Sequence, residues 1–341
     1  MSIPGKFGFG TMSLTWTPTP APLEQALETM HYSASKYGVR FFNGGEFYGP
    51  DLNNILILAE FWKAYHKEFP DLTISIKGGC DLKTLAPDGS KPSIKRSVDN
   101  ILKFFPREMN PRPKLIFEMA RVDKTVPYDE TIGFIKTHVD AGEIDGISLS
   151  EVGIDSIRKA LSVSPIQFVE LELSLICQDI LDNGILRELS EQNITVVAYS
   201  PLGRGFLTER TANDFDSFYK LCRREGDVRG MIDKFSEKNY WGNTKFAAKL
   251  QEFAHKKNTT LEVLALSWIL ALSENTDLYG IKKIAKVVPI PSGSTPEKVD
   301  ANLGLVVDLT HDDLEEIAQI AKNYPIQGYR YNAHHKAFEF A

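Results

Sequence analysis

Cysteine is scarce in this sequence: Cys80, Cys177 and Cys222 are the three thiols among 341 residues. They are widely spaced, form no CxxC and have no histidine nearby at metal-ligand spacing. A disulfide framework and a metal site are therefore not expected, and reduced thiols are. Long hydrophobic runs are absent as well, none approaching the roughly 18 residues that a membrane span needs. The opening residues, MSIPGKFGFG, lack the charged-then-apolar plan of a secretory signal. There is no basic stripe, and the formal charge of −6 is spread along the chain, so nothing favours nucleic acid or an anionic membrane as a partner. The expected setting is the cytoplasm, with the nucleus as a second compartment, and no obligate protein partner is evident. A GxGxxG turn is also missing. Gly8 and Gly10 in FGFGTM are followed by Met12 and Ser13, which argues against a doubly wound dinucleotide-binding sheet.

What is present is ample apolar content, 43% of residues, beside 25% charged, enough to bury a full core. A short β-branched or aromatic run ending in small or polar residues recurs along the chain, each followed by a longer amphipathic segment. Strands are expected at 7–12, 39–45, 72–78, 114–121, 145–150, 167–174, 195–200 and 286–291. Helices are expected at 23–37, 52–67, 93–105, 129–141, 155–161, 180–192, 245–255 and 261–272. Pro22 stands near a first turn, and Asp155 and Asp179 read as N-caps. Eight βα units in one chain of this length predict an α/β fold of the (β/α)8 TIM-barrel type, a single domain over 1–341. A long polar loop, 204–244, follows the seventh strand, where loops of that length usually serve a site.

In such a barrel the chemistry gathers at the C-terminal ends of the strands. Lys77 ends the apolar run ISIKGG, where a charge is costly unless it has a partner or escapes to solvent. Tyr48 follows the second strand in a Gly-rich turn, facing the barrel mouth or merely packing. Together they suggest a phenol proton donor whose ordinary pKa of about 10 is drawn down by a neighbouring ammonium.

The segments NGGEFYG, SIKGG, SLSEV, AYSPLGRGFLT and IPSGSTPEKVDANLG, in that order, resemble successive motifs of the aldo-keto reductase superfamily from Phe7 to about Lys322. Within it, the MSLTW start and the GGEFYGP turn are most similar to the yeast-type pyridoxal reductases. The resemblance implies a catalytic tetrad of Asp, Tyr, Lys and His. Tyr48 and Lys77 match, whereas Asn43 stands at the aspartate position and Ala120 at the histidine position. Asn43 accepts a hydrogen bond without neutralising Lys77, so the ammonium is expected to polarise Tyr48 at least as strongly. Strand alternation places Glu118 on the same side as Ala120. Facing inward, it would supply the missing anion; facing outward, it would pair on the barrel flank.

The resemblance also implies an NADPH/NADP site. Ser150, Glu151 and Glu170 stand at positions that hold the nicotinamide carboxamide, although Glu151 and Glu170 replace the usual amides. Tyr199 stands where the ring stacks. Ser200, Leu202, Gly203 and Arg204 form a loop suited to the pyrophosphate. Ser292, Gly293, Ser294 and Thr295 suit the adenosine 2′-phosphate, with Lys298 adding charge and Asn302 at the adenine position. Trp16 is a candidate substrate wall, with packing of its loop as the alternative. The implied activity is reduction of pyridoxal to pyridoxine, with no metal. A broader aldehyde reductase is one alternative. The other is a non-catalytic NADPH-binding regulatory protein resembling potassium-channel β subunits. The tail QGYRYNAHHKAFEFA is open between folding over the pocket and hanging free, and His334 and His335 read as a solvated terminus rather than a metal site.

Overall fold

The structure is a computed structural model and describes residues 3–331 and 339–341. His334 and His335 lie outside the described residues. Eight parallel strands form one sheet: β1 (Phe9–Gly10), β2 (Phe41–Gly45), β3 (Thr73–Gly78), β4 (Lys114–Met119), β5 (Gly146–Ser150), β6 (Phe168–Glu172), β7 (Thr195–Tyr199) and β10 (Val287–Pro289). Gly8 N donates to Pro289 O at 3.1 Å and Gly10 N to Pro291 O at 3.3 Å, which joins the first strand to the last and closes a (β/α)8 barrel. The strands run short and β-branched because both of their faces are covered. Every residue of β2, β3, β5 and β6 is buried.

Alternation along these strands sorts the barrel interior into layers. Phe41, Ile116, Phe168, Val197 and Val288 pack together as an apolar floor. Two residues further along β2, β4 and β6 come Asn43, Glu118 and Glu170, all buried. A polar layer thus sits on a greasy one, toward the strand ends where a site is expected.

Three expectations are corrected by the structure. The helix expected over 180–192 is two, Asp179–Asp182 and Ile185–Glu191, broken at Gly184, whose φ of +87° suits glycine. Asp155 and Asp179 sit inside first helical turns rather than capping them, where their charge still meets the positive end of the helix. The segment 204–244 is no plain loop. It folds into Glu209–Asn213 and Phe215–Cys222, capped by Thr208 and Asp214, and into the first turns of a helix that begins at Glu237, earlier than expected, and runs to Lys256. Phe206, Phe218, Phe235 and Tyr240 cluster beneath it, with ring centroids 5.7–6.3 Å apart. A hairpin of β8 (Thr276–Leu278) and β9 (Ile281–Lys283) and a capped helix, His311–Asn323, complete the chain's later elements. Among the described residues no helix is long and apolar enough to cross a membrane.

Candidate active site

Register brings the polar layer together. Gly45 on β2 is paired with Lys77 on β3, and Lys77 with Glu118 on β4. Lys77 Nζ donates to Asn43 Oδ1 at 2.8 Å and to Glu170 Oε2 at 2.7 Å, and it lies 3.0 Å from Glu118 Oε1. Asn43 Nδ2 donates in turn to Glu170 at 2.5 Å and to Glu118 at 3.0 Å, and Ser75 Oγ donates to Glu118 at 2.8 Å. Glu118 therefore faces inward, and it is fully buried. Burial opposes the Lys77 ammonium, but Glu118 and Glu170 outweigh it and hold the lysine protonated well above the usual range.

Tyr48 hangs over this cluster from the turn after β2. A Cβ at Gly45 would stand 3.2 Å from its ring, so the missing side chain lets the phenol fold back over the strand end. Lys77 Nζ is 5.6 Å from the ring centroid, and the Trp16 ring stacks on the Tyr48 ring with centroids 5.6 Å and planes 30° apart. The pKa expectation is corrected here. Burial pushes the Tyr48 hydroxyl up to about 12, with Lys77 pulling it down and Glu170 and Glu118 pushing it up. The ammonium is largely spent on the two carboxylates. Tyr48 is thus a firmly protonated donor rather than an acidified one.

Ala120 is buried beside the mouth. The next residue, Arg121, donates to Ser150 Oγ at 3.2 Å and reaches the Tyr331 hydroxyl at 3.4 Å. Glu151 and Glu170, expected at the carboxamide, both have carboxylates already engaged by neighbouring side chains. Glu170 serves Lys77 and Asn43. Glu151 receives Arg330 through Nη2 at 2.5 Å and Nη1 at 3.2 Å, and it also accepts the Glu172 N–H at 3.1 Å. Arg330 Nη1 reaches Glu172 at 3.4 Å. Burial opposes the charge on Glu151, but Arg330 and Arg121 outweigh it and hold its carboxyl below the usual range. Tyr199 and Tyr331 share a hydroxyl–hydroxyl hydrogen bond of 2.5 Å. Of the described tail residues, Arg330 and Tyr331 therefore meet side chains at the barrel mouth, and Ala341 O accepts from Gly153 N, three residues past β5, at 3.1 Å.

Ser200, Leu202, Gly203 and Arg204 lie in one turn after β7, with left-handed backbone at Ser200, Gly203 and Arg204. The Arg204 guanidinium is 3.9 Å from Glu172 and 5.6 Å from the Tyr331 ring centre. Ser292, Gly293, Ser294 and Thr295 precede the helix Pro296–Leu303, which Thr295 caps by accepting from the Lys298 N–H. Lys298 Nζ donates to Ser294 Oγ at 2.7 Å, and Asn302 Nδ2 is turned onto Ser292 O at 3.0 Å, holding the turn rather than projecting from it. The cationic and hydroxyl side chains of these two turns make a donor set that fits phosphate oxygens, so the residues present fit the phosphates of a dinucleotide.

Sequence reasoning missed Arg121, Glu172, Arg330 and Tyr331. Glu172 could have been found, because it follows Glu170 by two on a buried strand. Arg121 was marked only by its place after Ala120. No local pattern announces that Arg330 meets a carboxylate 179 residues away.

The aldo/keto reductase family matches residues 6–322. A Schizosaccharomyces pombe protein described as probable pyridoxal reductase 2 is 37% identical over 334 residues, covering 96% of this chain and 95% of that one. A putative pyridoxal reductase of Saccharomyces cerevisiae is 36% identical over 344 residues and 95% of each chain. A solved glycerol dehydrogenase of Gluconobacter oxydans superposes with a TM-score of 0.76 over 96% of both chains at 18% identity, a likeness of fold. With the match running from the first strand into the last helix, and with a tyrosine and a buried lysine meeting at the barrel mouth, the chain belongs to the aldo/keto reductase family.

Proposed function

We propose that this oxidoreductase uses NADPH to reduce pyridoxal to pyridoxine, with residues 1–341 acting as one barrel domain. The observation that carries the reading is Tyr48 seated on Lys77 at the mouth, beside a donor set suited to a dinucleotide. The names of the two relatives above 30% identity point to pyridoxal as the substrate. When bound, the dinucleotide supplies the hydride. The chain's own residues supply the rest. Tyr48 donates its phenolic proton to the carbonyl oxygen, and the Lys77 ammonium stabilises the phenolate left behind. Glu118 supplies the anion that Asn43 lacks. Trp16, stacked on Tyr48, offers an aromatic wall for a pyridine ring. Lys298, Ser294 and Thr295 favour a cofactor with an extra phosphate.

The test is cofactor oxidation with pyridoxal beside a panel of simple aldehydes, using NADPH and NADH, in wild type and Tyr48→Phe. Selective turnover of pyridoxal with NADPH is expected, falling by at least about a hundredfold in the variant. Equal turnover of all aldehydes withdraws the named substrate. Tight NADPH binding without turnover replaces the enzyme by a cofactor-binding regulator.

A further inference from the structure

Inside the barrel two carboxylates face one ammonium. Glu170 and Glu118 lie 2.7 Å and 3.0 Å from Lys77 Nζ, and the same Asn43 amide donates to both. The four side chains are nearly or fully buried. The titratable groups that meet here are Lys77 from β3, Glu118 from β4, Glu170 from β6 and Tyr48 from the turn after β2; Asn43 and Ser75 are neutral. Among the described residues Lys77 is the cation paired with either carboxylate. With both acids ionised, the cluster would carry an excess negative charge among buried side chains. Like charges so close do not both ionise when one proton relieves them.

We propose that Glu118 and Glu170 hold one proton between them, seated on Glu170, and that this proton is handed through Lys77 to the Tyr48 phenolate after each reduction. The proposal rests on the carbonyl-reductase reading and deepens it. The Tyr48 O–H bond breaks as an O–H bond forms on the substrate oxygen. A Lys77 N–H proton then moves to the Tyr48 oxygen, and the Glu170 O–H proton restores the ammonium. Glu170 is left as a carboxylate and takes its proton back from solvent when product leaves. No group in this relay is oxidised or reduced, and one proton is consumed per hydride. Burial and Glu118 push the Glu170 carboxyl well above the usual range, against the pull of Lys77. Glu170 is thus a positioning residue that acts through Lys77, and its proton is present below the ionisation of the pair and lost above it.

Two measurements on the full chain test this. The first is infrared spectroscopy at neutral pH, reading the deuterium-sensitive carbonyl stretch of protonated carboxylic acids. That band should weaken in Glu170→Gln. It should weaken as well in Glu118→Gln, where Glu170 remains but, alone with Lys77, ionises; a merely structural role would not produce this second loss. The second is the pH profile of pyridoxal reduction with NADPH. Wild type should fall above one ionisation, and Glu170→Gln should turn over about tenfold slower and lack that limb. Unchanged infrared bands in both variants overturn the shared proton while leaving the reductase reading intact. A band that behaves as expected in a protein that reduces no aldehyde removes the reductase reading, and the relay with it.

Discussion

At Lys77, the contest between burial and pairing decides the chemistry. Tyr48 shows the result, since its hydroxyl is held up to about 12 and so stays a donor across the physiological range. Ultraviolet titration should place the ionisation that disappears in Tyr48→Phe near that value; an ionisation below the ordinary tyrosine range would show Lys77 free of its acids. Asn43 gains a meaning from the same cluster. An aspartate here would set a third acid on one lysine, so Asn43→Asp should destabilise the fold by about 1–3 kcal/mol at neutral pH. The added carboxyl would have a raised pKa in the folded state, so the loss should shrink as the pH falls, as chemical denaturation at two pH values would show. Alternation made Glu118 legible from sequence, and the same rule puts Glu170 inside. The direction of the Tyr48 shift was not legible, because it depends first on burial of the hydroxyl and then on Glu170 and Glu118, all of which reasoning from the Tyr48–Lys77 pair omits.

The short strands were readable because burial on both faces forces β-branched and aromatic runs. The helix–helix layer at 204–244 was not, because its apolar positions are interleaved with arginines and aspartates that face outward or pair locally, as Arg229 does with Asp227. The hairpin β8–β9 escaped notice with three residues in each strand. Gly184 is what breaks the expected 180–192 helix, and a Cβ there would approach Ile154 at 3.2 Å. Gly184→Ala should therefore cost about 1 kcal/mol in urea denaturation despite the better helix propensity of alanine; a stabilised variant would mean the break is not enforced by backbone conformation. At the other end of the site, Thr295 caps the helix Pro296–Leu303. Thr295→Ala should cost about 1 kcal/mol of stability and, on the proposed assignment of that turn to the 2′-phosphate, weaken NADPH more than NADH in equilibrium titrations. Equal weakening would detach the turn from the 2′-phosphate.

For the whole molecule, the barrel's mouth is assembled from both ends of the chain's length. Arg330 is buried against Glu151 and Glu172, and removing it takes the nearest cation from two buried acids. Arg330→Met should cost about 3 kcal/mol at neutral pH by thermal or chemical denaturation. Glu151 has its folded pKa lowered by Arg330 and Arg121, so its stabilisation is present above the unfolded carboxylate value of about 4.3 and disappears as the pH falls through the folded one. The gap between wild type and Arg330→Met should therefore close in acid; a gap that persists would locate the loss in packing instead.

The same contact sets an order in time. Glu151 leaves the ribosome long before Arg330 does, so a barrel that joined β1 to β10 first would present Glu151 at the mouth without its bidentate partner. Closure of the sheet and completion of the site thus rest on different residues, and the second needs a segment that takes no part in the first.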